Sequence, residues 1–133
     1  MKKSFSSLTI LIVTVCSLFS CSRPTQHETK LIFGRRIGDT ALVSDSDWNK
    51  FVNEVIVPKF PSGFTIDDVD GYYRMSNGEI IHEPSKVLLV LEEKDENNNS
   101  KLDSIANEYI RRFHQESVLK EESPVVYEFE NEK

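Results

Sequence analysis

The densest group of reactive side chains is "RRFHQES", residues 111–117, which brings Arg111, Arg112, His114, Gln115, Glu116 and Ser117 together. Hydrolysis there would use His114 as a proton shuttle or Ser117 as a nucleophile, with nucleophile, base and orienting group in hydrogen-bond reach. Consecutive residues leaving a helix do not point at one another, and no nucleophile elbow surrounds Ser117. Arginine and histidine at a helix C-terminus also have a sufficient cause in the helix dipole. A second group, "IHEPSK" at 81–86, offers His82, Glu83, Ser85 and Lys86. Neighbours on a strand face opposite sides, which argues against His82 and Glu83 sharing a metal and against a Ser85–Lys86 dyad. The expected use of this group is ion pairing of the sheet to the second helix, Glu83 with Arg112 or Lys86 with Glu116. The third group is "FGRR" at 33–36. Glycine inside a strand signals a bulge or a close approach, and Arg35 and Arg36 suit either an anionic ligand or ordinary ion pairs. Arg35, Glu83, Lys86, Arg112, His114 and Glu116 form the candidate polar cluster, for binding or for structure. None is assigned a catalytic role, and no metal or cofactor is expected.

These residues must be positioned by an alternation of elements. "KLIFGRRI" at 30–37 reads as a first strand, a short apolar run with period-two character. In "VSDSDWNKFVNEVIVPKFP", Trp48, Phe51, Val52, Val55 and Ile56 recur at helical spacing, with Ser44 and Asp47 as a cap and Pro58 as the stop. Residues 64–93 read as two long strands around Asn77 and Gly78, a pair suited to a type I′ hairpin. Val87–Leu91 is wholly apolar, as a covered central strand requires, while Pro84 signals a bulge or the edge start of its strand. Tyr72 and Tyr73 fall on opposite faces, one expected in the core and one on the open face. A second helix follows, with Leu102, Ile105, Ala106, Tyr109, Ile110 and Phe113 on one stripe and Ser100 and Asp103 as its expected cap. "SVLKEESPVVYEFE" closes the domain as one strand, or as two broken at "EESP".

The order β-α-β-β-α-β predicts an α+β, ferredoxin-like fold: an antiparallel sheet with two helices on one face. Its other face must be solvated, covered by a second subunit or used for binding. A homodimer through that open face is the expected partner.

The amino terminus gives an address. Lys2 and Lys3 precede an apolar run from Leu8 to Phe19, too short for a membrane span of about 20 residues and laid out as a cleavable export signal over 1–20. "LFSC" at 18–21 resembles the lipobox of bacterial lipoproteins, which implies lipid on Cys21; an ordinary secreted protein with a spare cysteine is the alternative. One acyl chain binds a membrane marginally and two hold stably. Cys16 lies in the signal, so thiol chemistry is excluded from the mature domain. Residues 21–29 are expected as a lipidated tether and 30–130 as the folded domain. With Lys2 and Lys3 removed, 16 basic side chains become 14 against 22 acidic, a net charge of −8. That balance repels phosphate backbones, so nucleic acid is not an expected partner; the membrane is, through the lipid on Cys21. Ser22 after the cysteine favours the periplasmic face of an outer membrane if the organism has two membranes.

"LIFG" at 31–34, "VSDSDWNKFVNEVIVPKFPSGFTI" at 43–66, "DGYYR" at 70–74, "HEPSKVLLV" at 82–90 and "YIRRFHQESVL" at 109–119 together resemble the bacterial family called Domain of Unknown Function 3574. The resemblance spans nearly all of the mature domain. It implies short exported or lipoprotein-type chains and brings no activity with it. The expected function is therefore a lipid-anchored cell-envelope binding or interaction domain. The alternative is a small periplasmic enzyme of the dimeric α+β barrel type, with His114 or His82 and Arg35 in a pocket, an analogy from fold alone.

Overall fold

A computed structural model describes residues 26–132 apart from 39, 75 and 94. The expected export signal, Cys16 and Cys21 lie outside the described residues. The elements in chain order are β1 (Gln26–Gly34), β2 (Arg36–Ile37), β3 (Ala41–Leu42), α1 (Asp45–Phe51) with a π-helical continuation (Val52–Ile56), β4 (Thr65–Arg74), β5 (Ile80–Glu93), α2 (Glu96–Phe113) and β6 (Leu119–Pro124). The main sheet has the order β4-β5-β1-β6, with every neighbouring pair antiparallel. With both helices packed on one face, this is the ferredoxin-like α+β arrangement. No helix among the described residues is long and apolar enough to cross a membrane.

Strand β1 begins at Gln26, ahead of the domain start expected at Lys30, so the tether expected over 21–29 loses its last four residues to the sheet. The cause is alternation in "QHETKLIFG": His27, Thr29, Leu31 and Phe33 turn to the helices, opposite Glu92, Val90, Leu88 and Lys86. The strand stops at Gly34 because of its neighbour. Arg35 N donates to Pro84 O at 3.1 Å, but proline has no N–H to return. The Arg35 carbonyl is instead taken by Val43 N at 2.7 Å. The chain therefore leaves the sheet into the small β2–β3 hairpin, where the sequence suggested one strand through Ile37. Pro84 is thus neither a bulge nor the start of an edge strand; β5 runs through it, in register with Asp70 of β4.

The Ser44 hydroxyl accepts from Asp47 N at 3.1 Å and bonds the Asp47 carboxylate at 2.7 Å, so α1 starts where its cap predicts. The π turn then tightens the burial. An i→i+5 turn brings residues five apart onto one side, so Phe51 and Ile56 are both fully buried. Phe33 is the hub of the core, with ring centroids at 4.7 Å to Tyr109, 5.3 Å to Trp48 and 6.1 Å to Phe51. These inclined arrangements suit the ring quadrupoles.

Helix α2 starts earlier than the Ser100 cap predicts. Asp95 accepts from Asn98 N at 2.7 Å, and Asn98 Nδ2 reaches back to Glu93 O at 2.9 Å, so the asparagine run becomes the first turn. Leu102, Ile105, Tyr109 and Phe113 are buried. The helix ends on His114 in the left-handed region, φ 53°, a conformation more often filled by glycine.

The hairpin also differs from expectation. Asn77 is not at positive φ; only Gly78 is, at 89°, and Asn77 Oδ1 accepts from Glu79 N at 2.9 Å. Arg74 pairs with Ile80 and residues 76–79 lie outside the strands, so the two strands are not joined by a two-residue type I′ turn. Because β1 pairs with β5 only from Ser85 onward, residues 70–74 and 80–84 project as a two-stranded ribbon. At the opposite pole Val125 N donates to Gln26 O at 3.1 Å, so β6 leaves the sheet beside the start of β1. The residues after Pro124 are not strand, which places a break after "EESP" with no second strand following.

Candidate functional site

The sheet sorts the candidate residues by face. On the helix side, Lys86 lies opposite Phe33 and is 7 % exposed. A lysine there must be paired, and it is: it contacts Asp68 of β4 and lies 3.7 Å from Asp45 in the first turn of α1. Arg35, on the same side, donates through Nε to Val43 O at 2.9 Å and through a terminal nitrogen to Asp45 at 3.0 Å. Arg35, Asp45, Lys86 and Asp68 therefore make one alternating chain of charge at the rim of the core, linking β1, α1, β5 and β4.

Glu83 lies on the other face. Its Oε1 accepts from Arg36 N at 3.0 Å, directly over Gly34, where an added Cβ would come within 2.6 Å of that oxygen. The glycine in the strand thus marks the close approach of a carboxylate. The expected Glu83–Arg112 pair is not formed, because the sheet separates Glu83 from α2. Arg112 pairs instead with Glu54 at 2.7 Å and Glu108 at 3.2 Å, its guanidinium 5.6 Å from the Phe51 ring centroid. The Lys86–Glu116 pair is likewise replaced, by two aspartates closer in the fold. His114 and Glu116 are exposed after α2. Glu108 is held below the ordinary carboxylate range by its hydrogen bonds from Arg111, with burial opposing and Arg112 adding to it.

On the projecting ribbon, His82 Nε2 meets Asp70 Oδ1 at 2.6 Å, and the imidazole stacks on Tyr72 at 4.7 Å between centroids. A carboxylate that fixes an imidazole is half of a general-base arrangement. The pair is exposed on a ribbon outside the helix-covered body. Tyr72 and Tyr73 are 67 % and 45 % exposed, so neither enters the core, contrary to expectation; the ribbon lies beyond the helices' cover. Two concavities lie elsewhere, one at the β1–α2 pole and one between the π turn and α2, and neither is lined by Arg35, Glu83 or His114. No group of three histidine, cysteine or acidic side chains among the described residues could hold a metal.

The open face is the larger feature. Ile32, Val87 and Leu89 form its centre, with Val69, Leu91 and Leu119 around them, and Leu119 is 61 % exposed. The two sheet edges are guarded differently: β4 carries Asp67, Asp68 and Asp70, and β6 carries Lys120, Glu121, Glu122 and Pro124. Charge and proline along an edge oppose strand addition.

The fold and this arrangement define a ferredoxin-like α+β domain with a sealed face and an open one. The chain belongs to the family described as "Protein of unknown function (DUF3574)", which matches residues 28–129. No curated protein matches the chain. Among solved structures it is similar to a phage SAM lyase in complex with S-methyl-5'-thioadenosine, at 17 % identity and TM-score 0.58, over 81 % of this chain and 88 % of that one. The same enzyme in its apo state matches at 17 % identity and TM-score 0.57, over 77 % and 84 %. CutA from Synechococcus elongatus matches at 11 % identity and TM-score 0.44, over 77 % and 83 %. At 17 % identity the likeness to the SAM lyase is one of fold.

Proposed function

We propose that this chain is a lipid-anchored cell-envelope interaction domain that pairs through its open sheet face with a second copy of itself. The observation that carries the reading is the apolar centre of that face, Ile32, Val87 and Leu89, lying opposite the sealed core. A protein that stays monomeric seldom leaves a contiguous apolar patch uncovered. The guarded edges direct association to the face. Four strands at about 4.8 Å spacing and roughly eight residues each at about 3.3 Å give a face of about 500 Å² in projection. Side-chain relief brings that near the roughly 800 Å² per partner of a stable interface. Lys30 sits on this face with Glu28 at 2.8 Å, its proton held more tightly by that hydrogen bond and charge. The pair forms a polar border to the apolar centre.

Sedimentation of the full chain in mild detergent tests the pairing. A dimer at micromolar concentration is expected, with Leu89→Asp giving a folded monomer. A wild-type protein monomeric across that range would sink the reading. The anchor has its own test: labelling with an acyl analogue should disappear in Cys21→Ala, and persistent labelling would remove the lipid from Cys21. Neither of the two concavities among the described residues unites Arg35 with His114 or His82, so the enzyme alternative draws no support from them.

A further inference from the structure

Two apolar groups stand uncovered at opposite poles of the sheet. Beside the start of β1, the tail after β6 carries Val126 and Phe129, 88 % and 81 % exposed. The rings of Tyr127 and Phe129 meet edge to face, 5.9 Å between centroids, so the tail holds a small aromatic cluster of its own. At the other end of β5, Tyr72, Tyr73 and Ile80 are exposed on the ribbon. Clustered apolar side chains in water mark a contact surface. The two groups cannot cover each other within one chain. Strand β5 has 14 residues, which sets its ends about 43 Å apart at about 3.3 Å per residue, whereas the stretch from Val125 to Phe129 spans at most about 14 Å.

We infer that two copies stack antiparallel on their open faces, about a two-fold axis near Val87, and that the tail of each clasps the ribbon of its partner. The inference rests on the face-to-face pairing proposed above and adds its direction and a second contact. In an isologous pair, any contact from tail to ribbon is made twice. Val87 lies at the centre of the open face, midway along β5 between Ile81 and Glu93. A two-fold axis there, lying between the sheets and across the strands, sets the Glu93 end of each copy over the partner's Ile81. The register turns Ile81 and Tyr73 to the same side of the ribbon as Val87, toward the other copy. Stacked sheets lie about 10 Å apart, within the tail's reach.

Charge selects this direction. The pole that carries the tail is acidic, with Glu92, Glu93, Asp95 and Glu96 joined by Glu128 and Glu130 of the tail. The ribbon's pole instead holds Arg74, which donates to Gly78 O at 2.9 Å, and Arg36, which donates to His82 O at 2.7 Å. Asp70, Glu79 and Glu83 bring that pole close to balance. A parallel stack would press two acidic poles together, and like charges across an interface oppose association. The antiparallel stack sets each acidic tail against arginines at the other copy's ribbon.

A benzophenone side chain placed at position 129 of the full chain, illuminated in mild detergent, tests the arrangement. A cross-linked dimer is expected, with position 129 joined to the peptide of residues 72–81. Joining to position 129 or to residues 92–96 of the second copy would mean a parallel stack and overturns the inference, as does a dimer by sedimentation that yields no cross-link. A wild-type chain that sediments as a monomer removes the face-to-face pairing itself, so the two failures are distinct. Val126→Ser with Phe129→Ser lies outside the core and should weaken the dimer about tenfold while leaving the fold intact; unchanged affinity overturns the clasp. Arg74→Glu should also weaken the dimer, and adding Glu128→Lys with Glu130→Lys should restore it; a triple variant no tighter than Arg74→Glu alone counts against the antiparallel direction.

Discussion

The phenol of Tyr109 donates to the carbonyl oxygen of Gly34 at 2.9 Å, tying the C-terminal part of α2 to the last residue of β1. The bond sits where several events meet: β1 ends at Gly34, Glu83 closes over it from the other face, and Pro84 releases the next carbonyl. A core aromatic is thereby also a register pin.

Replacing Tyr109 by phenylalanine keeps the ring packing against Phe33, Phe51 and Phe113 and removes only this donor. The expected loss is about 1 kcal/mol, against about 3–5 kcal/mol for Tyr109→Ala, which also empties the ring site. Urea unfolding of the two variants separates the bond from the packing; equal losses would show that the hydroxyl contributes nothing.

The same phenol gives an alkaline signature. Burial holds its pKa well above the ordinary value, with Arg35 opposing and Glu83 adding to the shift. A proton held more tightly in the folded state contributes stability that is complete below about pH 10, the unfolded value, and is lost as pH rises through the folded one. Between pH 9 and 11 the wild type should lose more stability than Tyr109→Phe. A parallel decline in both would assign the effect to other groups.

Gly34→Ala should push the Glu83 carboxylate off the Arg36 amide, since the new methyl would lie 2.6 Å from its oxygen. The carboxylate is the mobile end of a side chain, so the cost is about 1 kcal/mol rather than a collapse of the strand. In a Glu83→Ala background the same substitution should be nearly free. A double-mutant cycle without coupling would show that something other than Glu83 makes glycine necessary.

The charge chain around Lys86 should respond asymmetrically. Its side chain is 9 % exposed, whereas those of Asp45 and Asp68 are 75 % exposed. Lys86→Met leaves two carboxylates in water and should change stability by less than about 1 kcal/mol, while Asp45→Asn with Asp68→Asn strands a buried cation and should cost about 3 kcal/mol. Thermal melts that rank the two variants the other way would contradict this account.

Much of the fold was legible because its signals are periodic. The apolar stripes of "DWNKFVNEVI" and "LDSIANEYIRRF" and the run "KVLLVLEE" are strong enough to order the elements and assign the covered face. The sites were less legible, because they depend on register. A two-residue turn at Asn77 and Gly78 would set Asp68 against Val87; the observed pairing of Arg74 with Ile80 sets it against Lys86, and a slip of one residue exchanges the faces. From the sequence Lys86 therefore had no visible partner, and a pairing with Glu116 stood in for the aspartates. Asp68 and Asp70 read as ordinary polar residues until the hairpin fixes them, and Asp45 until α1 is laid on the sheet. His27 was hidden for a different reason: it sits in a segment polar enough to pass for a tether, and only its pairing with Glu92 draws it into the sheet.

The bond from Val125 to Gln26 has a topological consequence. Because the last strand leaves beside the point where the first begins, the order of the elements along the chain is separable from their order in space. A short linker from Val125 to Gln26, with new termini opened within 76–79, would give a circular permutant with the same sheet. Under the proposed anchorage such a molecule would be held from its opposite pole, turning the ribbon of His82 and Tyr72 toward the point of attachment.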